Sequence, residues 1–358
     1  MVVLSIDIET YSPVDLSSAG VYKYSEHPDF QVLLFAYKLN TDDVKVVDCV
    51  NGRIPDRILE MIQNPAVLKT AYNASFERIC LSRMLDLPKY TYLNPGQWDC
   101  TKVRASRIGW PMNLGATAKA MGLAELKSDT GKKLIEYFSI PVDPKKNEGR
   151  TRNLPQHAPD KWIEFMKYCG QDVIVETGIR NRVIGAPVSD FEQRLWELDQ
   201  RINDWGMKLN LDLVKKAQAM IDEYIPRLVT ELQTLTKLEN PNSDKQMKEW
   251  LLRQGETLPT KINPKGVKVT TLAAEFIEDM LNGDDLSPIS RQVLELRQSI
   301  KKTSLGKYQA MIDCVCADGR VRGAIEFNGA SRTGRWAGRL FQPHNLPTIF
   351  LEADKKKG

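Results

Sequence analysis

The chain has 358 residues, 42% of them hydrophobic and 27% charged, with a net charge of +4. That length suffices for two or three domains, each with its own core. No apolar run approaches the roughly 20 residues of a membrane helix, and the amino terminus lacks the cationic flank and small-residue cleavage site of a secretory signal, so a cytoplasmic protein is expected. The six cysteines, at 49, 80, 100, 169, 314 and 316, include no C-x-x-C pair. Reduced thiols are expected, with the Cys314/Cys316 pair structural rather than half a zinc site. Only His27, His157 and His344 are available, so any metal should sit on oxygen ligands and be Mg²⁺ or Mn²⁺. From Arg297 to the end, twelve cations stand against five anions, an excess that suits a polyanionic partner.

Met1 to Tyr11, MVVLSIDIETY, reads as a buried strand. Side chains two apart on a strand share a face, so Asp7 and Glu9 project together while Ile6 and Ile8 point into whatever packs behind. Two anions side by side on an apolar strand repel one another and lose solvation, and a divalent cation is the usual compensation. Val32–Leu39 and Val44–Val50 read as two further strands joined by the turn residues Asn40 to Asp43, giving an antiparallel meander. Ile54–Ile62 has helical spacing, Ala66–Tyr72 is a short strand, and Ala74–Leu85 is a helix. Mixed strands followed by helices predict an α/β layer fold with ligands at strand ends.

Asn73 and Glu77 lie four apart across the start of that helix, on one face. Glu77 is a candidate third carboxylate; alternatively it caps the positive helix end and pairs with a lysine. In Trp162–Ile179, Tyr168 and Asp172 again lie one helical turn apart. Asp7-x-Glu9, Asn73-x-x-x-Glu77 and Tyr168-x-x-x-Asp172 thus occur in order on strand, helix start and helix.

At these three places the sequence resembles the DnaQ-like 3′-5′ exonucleases fused to family A DNA polymerases, the bacterial DNA polymerase I family. The first motif is DIET, Asp7 to Thr10. The second is NASFE, with Glu77 where the family has aspartate. The third is YCGQD, Tyr168 to Asp172, in its tyrosine form. Trp98 to Leu123 is similar to the family's stretch between the second and third motifs. The resemblance implies a ribonuclease H-like fold, a mixed sheet flanked by helices, and a site for two Mg²⁺ or Mn²⁺ ions. It implies Asp7, Glu9 and Asp172 as metal ligands, Glu77 acting from the second ion's shell, and Tyr168 orienting the attacking water. A phenol of pKa near 10 is a poor base at neutral pH, so positioning is its expected role. The extra methylene of Glu77 lengthens a reach in a site that tolerates little error, yet activity is expected, because a carboxylate working through water absorbs that length.

Beyond this region, Val183–Val188 is a Gly/Pro break. Asp190 is the expected N-cap of a helix over Phe191–Trp205, a long amphipathic helix runs to about Leu238, Ser243 caps another, and Ser287–Cys314 reads as one long helix. GMKLN, NPNSDKQMKEWL and VLELRQSIKKTSLGKYQAMI resemble the thumb of family A polymerases. Ala317–Pro347 is similar to the strand pair and turn leading into the palm.

The resemblance therefore implies an exonuclease domain over 1–184, a helical thumb-like region over 189–316, and the start of a palm over 317–358. The family's palm and fingers should follow Pro347, where only TIFLEADKKKG remains, so polymerisation by this chain alone is not expected. The implied partners are a single-stranded DNA 3′ end and a primer-template duplex, with a separate palm-and-fingers chain or other replication proteins as further candidates, in a bacterial cell or phage-infected host. Implied DNA contacts are Thr10, Asn73 and Phe76 at the 3′ end, and Thr333, Arg335, Arg339 and Asn345 on the duplex backbone. Phe76 and Tyr72 are candidates for stacking splayed bases; either could equally be core, which is the expectation for Tyr72. The alternatives are a non-catalytic DNA-binding fragment and an exonuclease acting on RNA, against which the thumb-like half argues.

Overall fold

The computed structural model describes residues 2–123, 131–186, 189–302, 304–330 and 332–346. The polypeptide forms two compact units, residues 1–209 with 313–358, and residues 210–312.

The larger unit begins with β1 (Val2–Tyr11), α1 (Leu16–Glu26), β2 (Gln31–Leu39), β3 (Lys45–Asp48), α2 (Asp56–Gln63), β4 (Val67–Ala71), α3 (Ala74–Met84) and β5 (Trp98–Cys100). The strands make one mixed sheet in the order β3-β2-β1-β4-β5. β1 pairs antiparallel with β2, and β2 with β3, so the meander read from the sequence is present. β4 joins β1 in parallel, and β5 joins β4 in parallel. β1 and β4 therefore end on the same side of the sheet, where open α/β sheets place their chemistry.

Alternation along β1 sorts its side chains as expected. Leu4, Ile6 and Ile8 enter a core with Phe35 of β2, Ile58 and Ile62 of α2, and Cys80 and Leu81 of α3. The register of β1 on β2 shifts between Glu9 and Thr10. Such a bulge bends the strand and re-aims the side chains beside it.

α4 (Thr101–Arg107), α5 (Leu114–Ala120), α6 (Gly131–Phe138) and α7 (Pro159–Val183) follow. α6 and α7 cover the other face of the sheet. Phe138, Trp162, Phe165, Cys169 and Val173 pack there against Leu33, Leu34 and Ala36 of β2. The glycine of YCGQD has a steric reason, because a Cβ on Gly170 would lie 2.8 Å from Val46 of β3.

α8 (Asp190–Trp205) is capped by Ser189, not by Asp190 as expected. The Ser189 hydroxyl accepts from the Glu192 N–H and the Glu192 carboxylate accepts from the Ser189 N–H, each at 3.3 Å. A serine followed three residues later by glutamate satisfies two orphan donors reciprocally, which Asp190, inside the first turn, cannot do. β6 (Met207–Lys208) then ends the first stretch of this unit.

The smaller unit holds α9 (Leu211–Thr236), α10 (Asp244–Arg253), the hairpin β7 (Thr260–Ile262) and β8 (Lys268–Thr270), α11 (Ala274–Asn282) and α12 (Pro288–Ile300). Leu232, Met247, Trp250, Leu251, Ile277, Val293 and Leu294 form its core. Ser243 and Ser287 cap α10 and α12. The single long helix expected over Ser287–Cys314 is instead two, α12 ending at Ile300 and α13 (Gly306–Cys314) beginning six residues later. Ser304 and Gly306 are poor helix formers, and glycine costs about 1 kcal/mol inside a helix.

After α13 the chain contributes β9 (Arg320–Val321), paired with β6, and the hairpin β10 (Ile325–Ala330) and β11 (Arg335–Gly338). The compact units divide at 209/210 and 312/313. Within the larger one, α8 is docked on the first 183 residues. Trp196 lies in the main core, and Asp204 holds the buried guanidinium of Arg78. The hairpin docks beside it, with Asn203 Nδ2 donating to the Ile325 carbonyl at 2.9 Å and Trp336 Nε1 donating to Asp199 at 2.8 Å.

All six cysteines are unbridged. Among the described residues no helix is long and apolar enough to cross a membrane.

Candidate active site

The carboxyl end of β1 supplies Asp7 and Glu9, the first turn of α3 supplies Glu77, and the middle of α7 supplies Asp172 and Tyr168. Glu9, Glu77 and Asp172 are buried, and Asp7 is half-buried between them. The geometry follows from the topology. β4 runs parallel to β1 and hands directly into α3, so the start of α3 reaches the end of β1. α7 crosses the sheet over β1, with the Cys169 thiol 3.6 Å from Asp7 Oδ2.

The electrostatics identify Asp7 as the centre. Its carboxyl is pushed well above the usual carboxylate range by burial first, then by Asp172, Glu9 and Glu77 in turn. Glu77 is pushed up to about 8, chiefly by burial, and the charge of Lys102 partly offsets this. One of its oxygens, Oε2, is buried without a hydrogen-bond partner. The Tyr168 phenol is hydrogen-bonded to Asp172 and raised far above 10 by burial and by the charges of Asp172 and Glu9. Its hydroxyl therefore stays protonated at any working pH.

Like charges crowded in this way call for a cation. Carboxylate oxygens are the donors that Mg²⁺ and Mn²⁺ prefer, and the orphaned Glu77 oxygen is an acceptor with no protein donor. The donor chemistry fits a hard divalent cation. Among the described residues, however, no group of three or more His, Cys, Asp or Glu side chains stands in a ready-made ligand arrangement.

The other predicted residues are distributed as follows. Thr10 is buried and its hydroxyl is 2.9 Å from the Tyr24 hydroxyl. Asn73 precedes α3 but does not cap it with its side chain; its Oδ1 accepts from Lys102 Nζ at 2.8 Å. Phe76 is half-buried against the main core, near Tyr24. Tyr72 is core, with its hydroxyl 2.8 Å from that of Thr117. Thr333, Arg335, Arg339 and Asn345 are exposed on the hairpin and the turn after it, away from the carboxylates in sequence, and Arg339 is ion-paired with Glu326.

Two residues of this neighbourhood escaped the motif reading. Glu176, one turn beyond Asp172 on α7, is buried, accepts from the Thr101 hydroxyl at 2.5 Å, and is pushed up to about 7 by burial. Its spacing of four from Asp172 was the available signal. Lys102 carried none, since its partners are distant in sequence. The glycine at 131 also matters here, because a Cβ on it would overlap the Tyr168 ring.

No family model matches the chain. It is 47% identical over 354 residues, 98% of its length, to the DNA polymerase of Bacillus phage SP02, and it covers 52% of that protein. Its fold is similar, with a TM-score of 0.56 and 14% identity, to the POL domain of Pol1 from M. smegmatis solved in complex with DNA primer-template and dNTP, over 98% of this chain and 53% of that one. The chain thus spans about half the length of each.

Proposed function

We propose that the chain is the metal-dependent 3′-5′ exonuclease, or proofreading, portion of a family A DNA polymerase, its larger unit built on a ribonuclease H-like fold. The observation that carries this reading is the position of Asp7 at the centre of acidic side chains from three separate elements, Asp172, Glu9 and Glu77, whose charges add to burial in opposing its ionisation. The DNA polymerase relative supports the same reading. In it, 1–184 is the exonuclease domain, the helical stretch within 189–316 is thumb-like, and 317–358 begins a palm.

When bound, a pair of divalent ions supplies an activated water and charge neutralisation at the leaving 3′ oxygen. Asp7, Glu9 and Asp172 would hold the ions from strand and helix, and Glu77 would act through water. Tyr168, which stays protonated at neutral pH and is hydrogen-bonded to Asp172, would orient the attacking oxygen through its hydroxyl. Burial of the carboxylates keeps bulk water from screening them. Phe76 and Asn73 would meet the 3′ nucleotide, and Arg335, Arg339, Thr333 and Asn345 the duplex backbone, where contacts position without reading sequence.

A second reading, a DNA-holding fragment without catalysis, is favoured by one observation, the lack among the described residues of a ready-made ligand arrangement. Digestion of a 5′-labelled single-stranded DNA with Mg²⁺ or Mn²⁺, beside an Asp7→Ala control, separates the two. Stepwise shortening from the 3′ end that vanishes in the variant supports the exonuclease. Intact DNA that is still bound by both proteins supports the second reading. A matched RNA strand tests the choice of sugar.

A further inference from the structure

Lys102, in the first turn of α4, makes a set of contacts that no motif announces. Its backbone N–H donates to the Tyr72 carbonyl at 2.9 Å, tying α4 to the connection between β4 and α3. Its ammonium donates to Asn73 Oδ1 and to Glu326 Oε1, each at 2.8 Å. The other Glu326 oxygen pairs with Arg339. Lys102 and Glu326 are both largely shielded, with side chains 15% and 23% exposed. A polar chain therefore runs from Asn73, beside the carboxylate cluster, through Lys102 and Glu326 to Arg339 on the hairpin.

Two properties make this more than a surface ion pair. An ammonium is a compact point charge with three donors, so it can hold two acceptors in fixed relation. Asn73 stands at the entrance to α3, four residues before Glu77, so whatever fixes Asn73 fixes the start of the helix that carries Glu77. An exposed pair would be worth little. A shielded one that orients a neighbour beside reacting groups can be worth far more, since a misplacement of about 1 Å costs roughly a hundredfold in rate.

We propose that Lys102 is a positioning residue for the exonuclease reaction, holding Asn73 and the start of α3 in place, and that Glu326, backed by Arg339, holds Lys102 there. The hairpin β10–β11, some 220 residues away in sequence, is in this way part of the support of the carboxylate site. Without Glu326, the ammonium keeps one anchor fewer. This inference rests on the exonuclease reading.

The test measures kcat and KM for digestion of single-stranded DNA by the full chain carrying Lys102→Met, Lys102→Arg, Glu326→Gln, or Lys102→Met with Glu326→Gln. Lys102→Met should lower kcat roughly tenfold to a hundredfold with KM little changed. Lys102→Arg, which can still donate to both acceptors, should recover most of the rate. Glu326→Gln should slow the parent and leave Lys102→Met unaffected, a non-additivity expected of coupled residues. The same cycle read as melting temperature in EDTA should also be non-additive, since the bridge exists without substrate or metal. Independent, multiplying effects, or a Lys102→Met protein that digests at the parental rate, overturn the inference while leaving the exonuclease reading intact. A parent that digests nothing overturns both.

Discussion

Arg78 grips Asp204 with both terminal guanidinium nitrogens, Nη1 donating to Oδ2 at 2.9 Å and Nη2 donating to Oδ1 at 2.7 Å. The Tyr22 hydroxyl donates to the same Oδ1 at 2.7 Å, and Arg78 Nη1 donates to the Leu93 carbonyl at 2.8 Å. The Arg78 side chain is fully buried, and it follows Glu77 directly on α3. The helix that brings a carboxylate to the site is therefore pinned to α8 one residue further on. Removing one partner of a buried pair strands a charge, which costs roughly 3–5 kcal/mol. Asp204→Ala should lose stability of that order in urea unfolding, and Arg78→Met added to it should restore part of the loss. An Asp204→Ala protein within about 0.5 kcal/mol of the parent, the range of an ordinary surface change, would show that α8 is not held this way.

Asp7 has opposite values for stability and for chemistry. Its charge is opposed by burial first and then by Asp172, Glu9 and Glu77, so Asp7→Asn should raise the melting temperature of the metal-free protein by a few degrees, the shift expected for roughly 1 kcal/mol. The same change should lower exonuclease activity about a thousandfold or more, because a bound metal ion is worth several kcal/mol of charge stabilisation. Melting in EDTA and digestion with Mg²⁺ check the two halves. A variant that melts lower than the parent would mean that Asp7 is satisfied without a cation.

The parts of this architecture that could be read from the sequence are those written in local periodicity. Ile6 and Ile8 against Asp7 and Glu9 follow from the pleat of β1, and Tyr168 with Asp172 from one turn of α7. α1 was not legible. Leu16–Glu26 turns only Ala19, Tyr22, Tyr24 and Ser25 inward and contains Gly20 at φ 76°, so it shows neither a helical stripe nor a strand alternation. The break after Ile300 was masked by apolar residues that keep helical spacing across it. Arg78, Asp204, Lys102 and Glu326 were out of reach for a different reason. Each is an ordinary charged residue whose meaning lies in a partner 126 or 224 positions away, and no local pattern encodes such a pair.

Tyr168 offers a separate test of roles. Its phenol is held protonated by burial and by its anionic neighbours, so it cannot serve as a base and acts only through the hydrogen bonds of its hydroxyl. Losing one hydrogen bond involving a charged group costs about 1.5–3 kcal/mol. Tyr168→Phe should accordingly lower kcat roughly tenfold to a hundredfold while KM and the shape of the pH–rate profile stay as in the parent. A profile that loses its alkaline or acidic limb in the variant would assign a titrating role to the phenol and refute the positioning one.

Asp199 should govern part of the dependence of stability on pH. It is 1% exposed, accepting from Trp336 Nε1 at 2.8 Å, Gln200 Nε2 at 3.0 Å and Asn203 Nδ2 at 3.2 Å. Burial raises its carboxyl from about 3.8 to about 7, against the opposing effect of those hydrogen bonds. Between these two values the folded protein keeps a proton that the unfolded chain has released. Stability therefore falls as pH rises from about 4 to about 7 and levels off above that. Asp199→Asn cannot titrate, and its amide must place a donor against one of three existing donors, so it should be the less stable protein at low pH. The gap should narrow as pH rises, because only the parent loses stability across that window. Glu77 and Glu176 titrate alike in both proteins, so the difference in melting temperature between pH 5 and 8 isolates Asp199. A difference that is flat with pH would mean that Asp199 is ionised in the folded protein throughout, its three donors outweighing its burial.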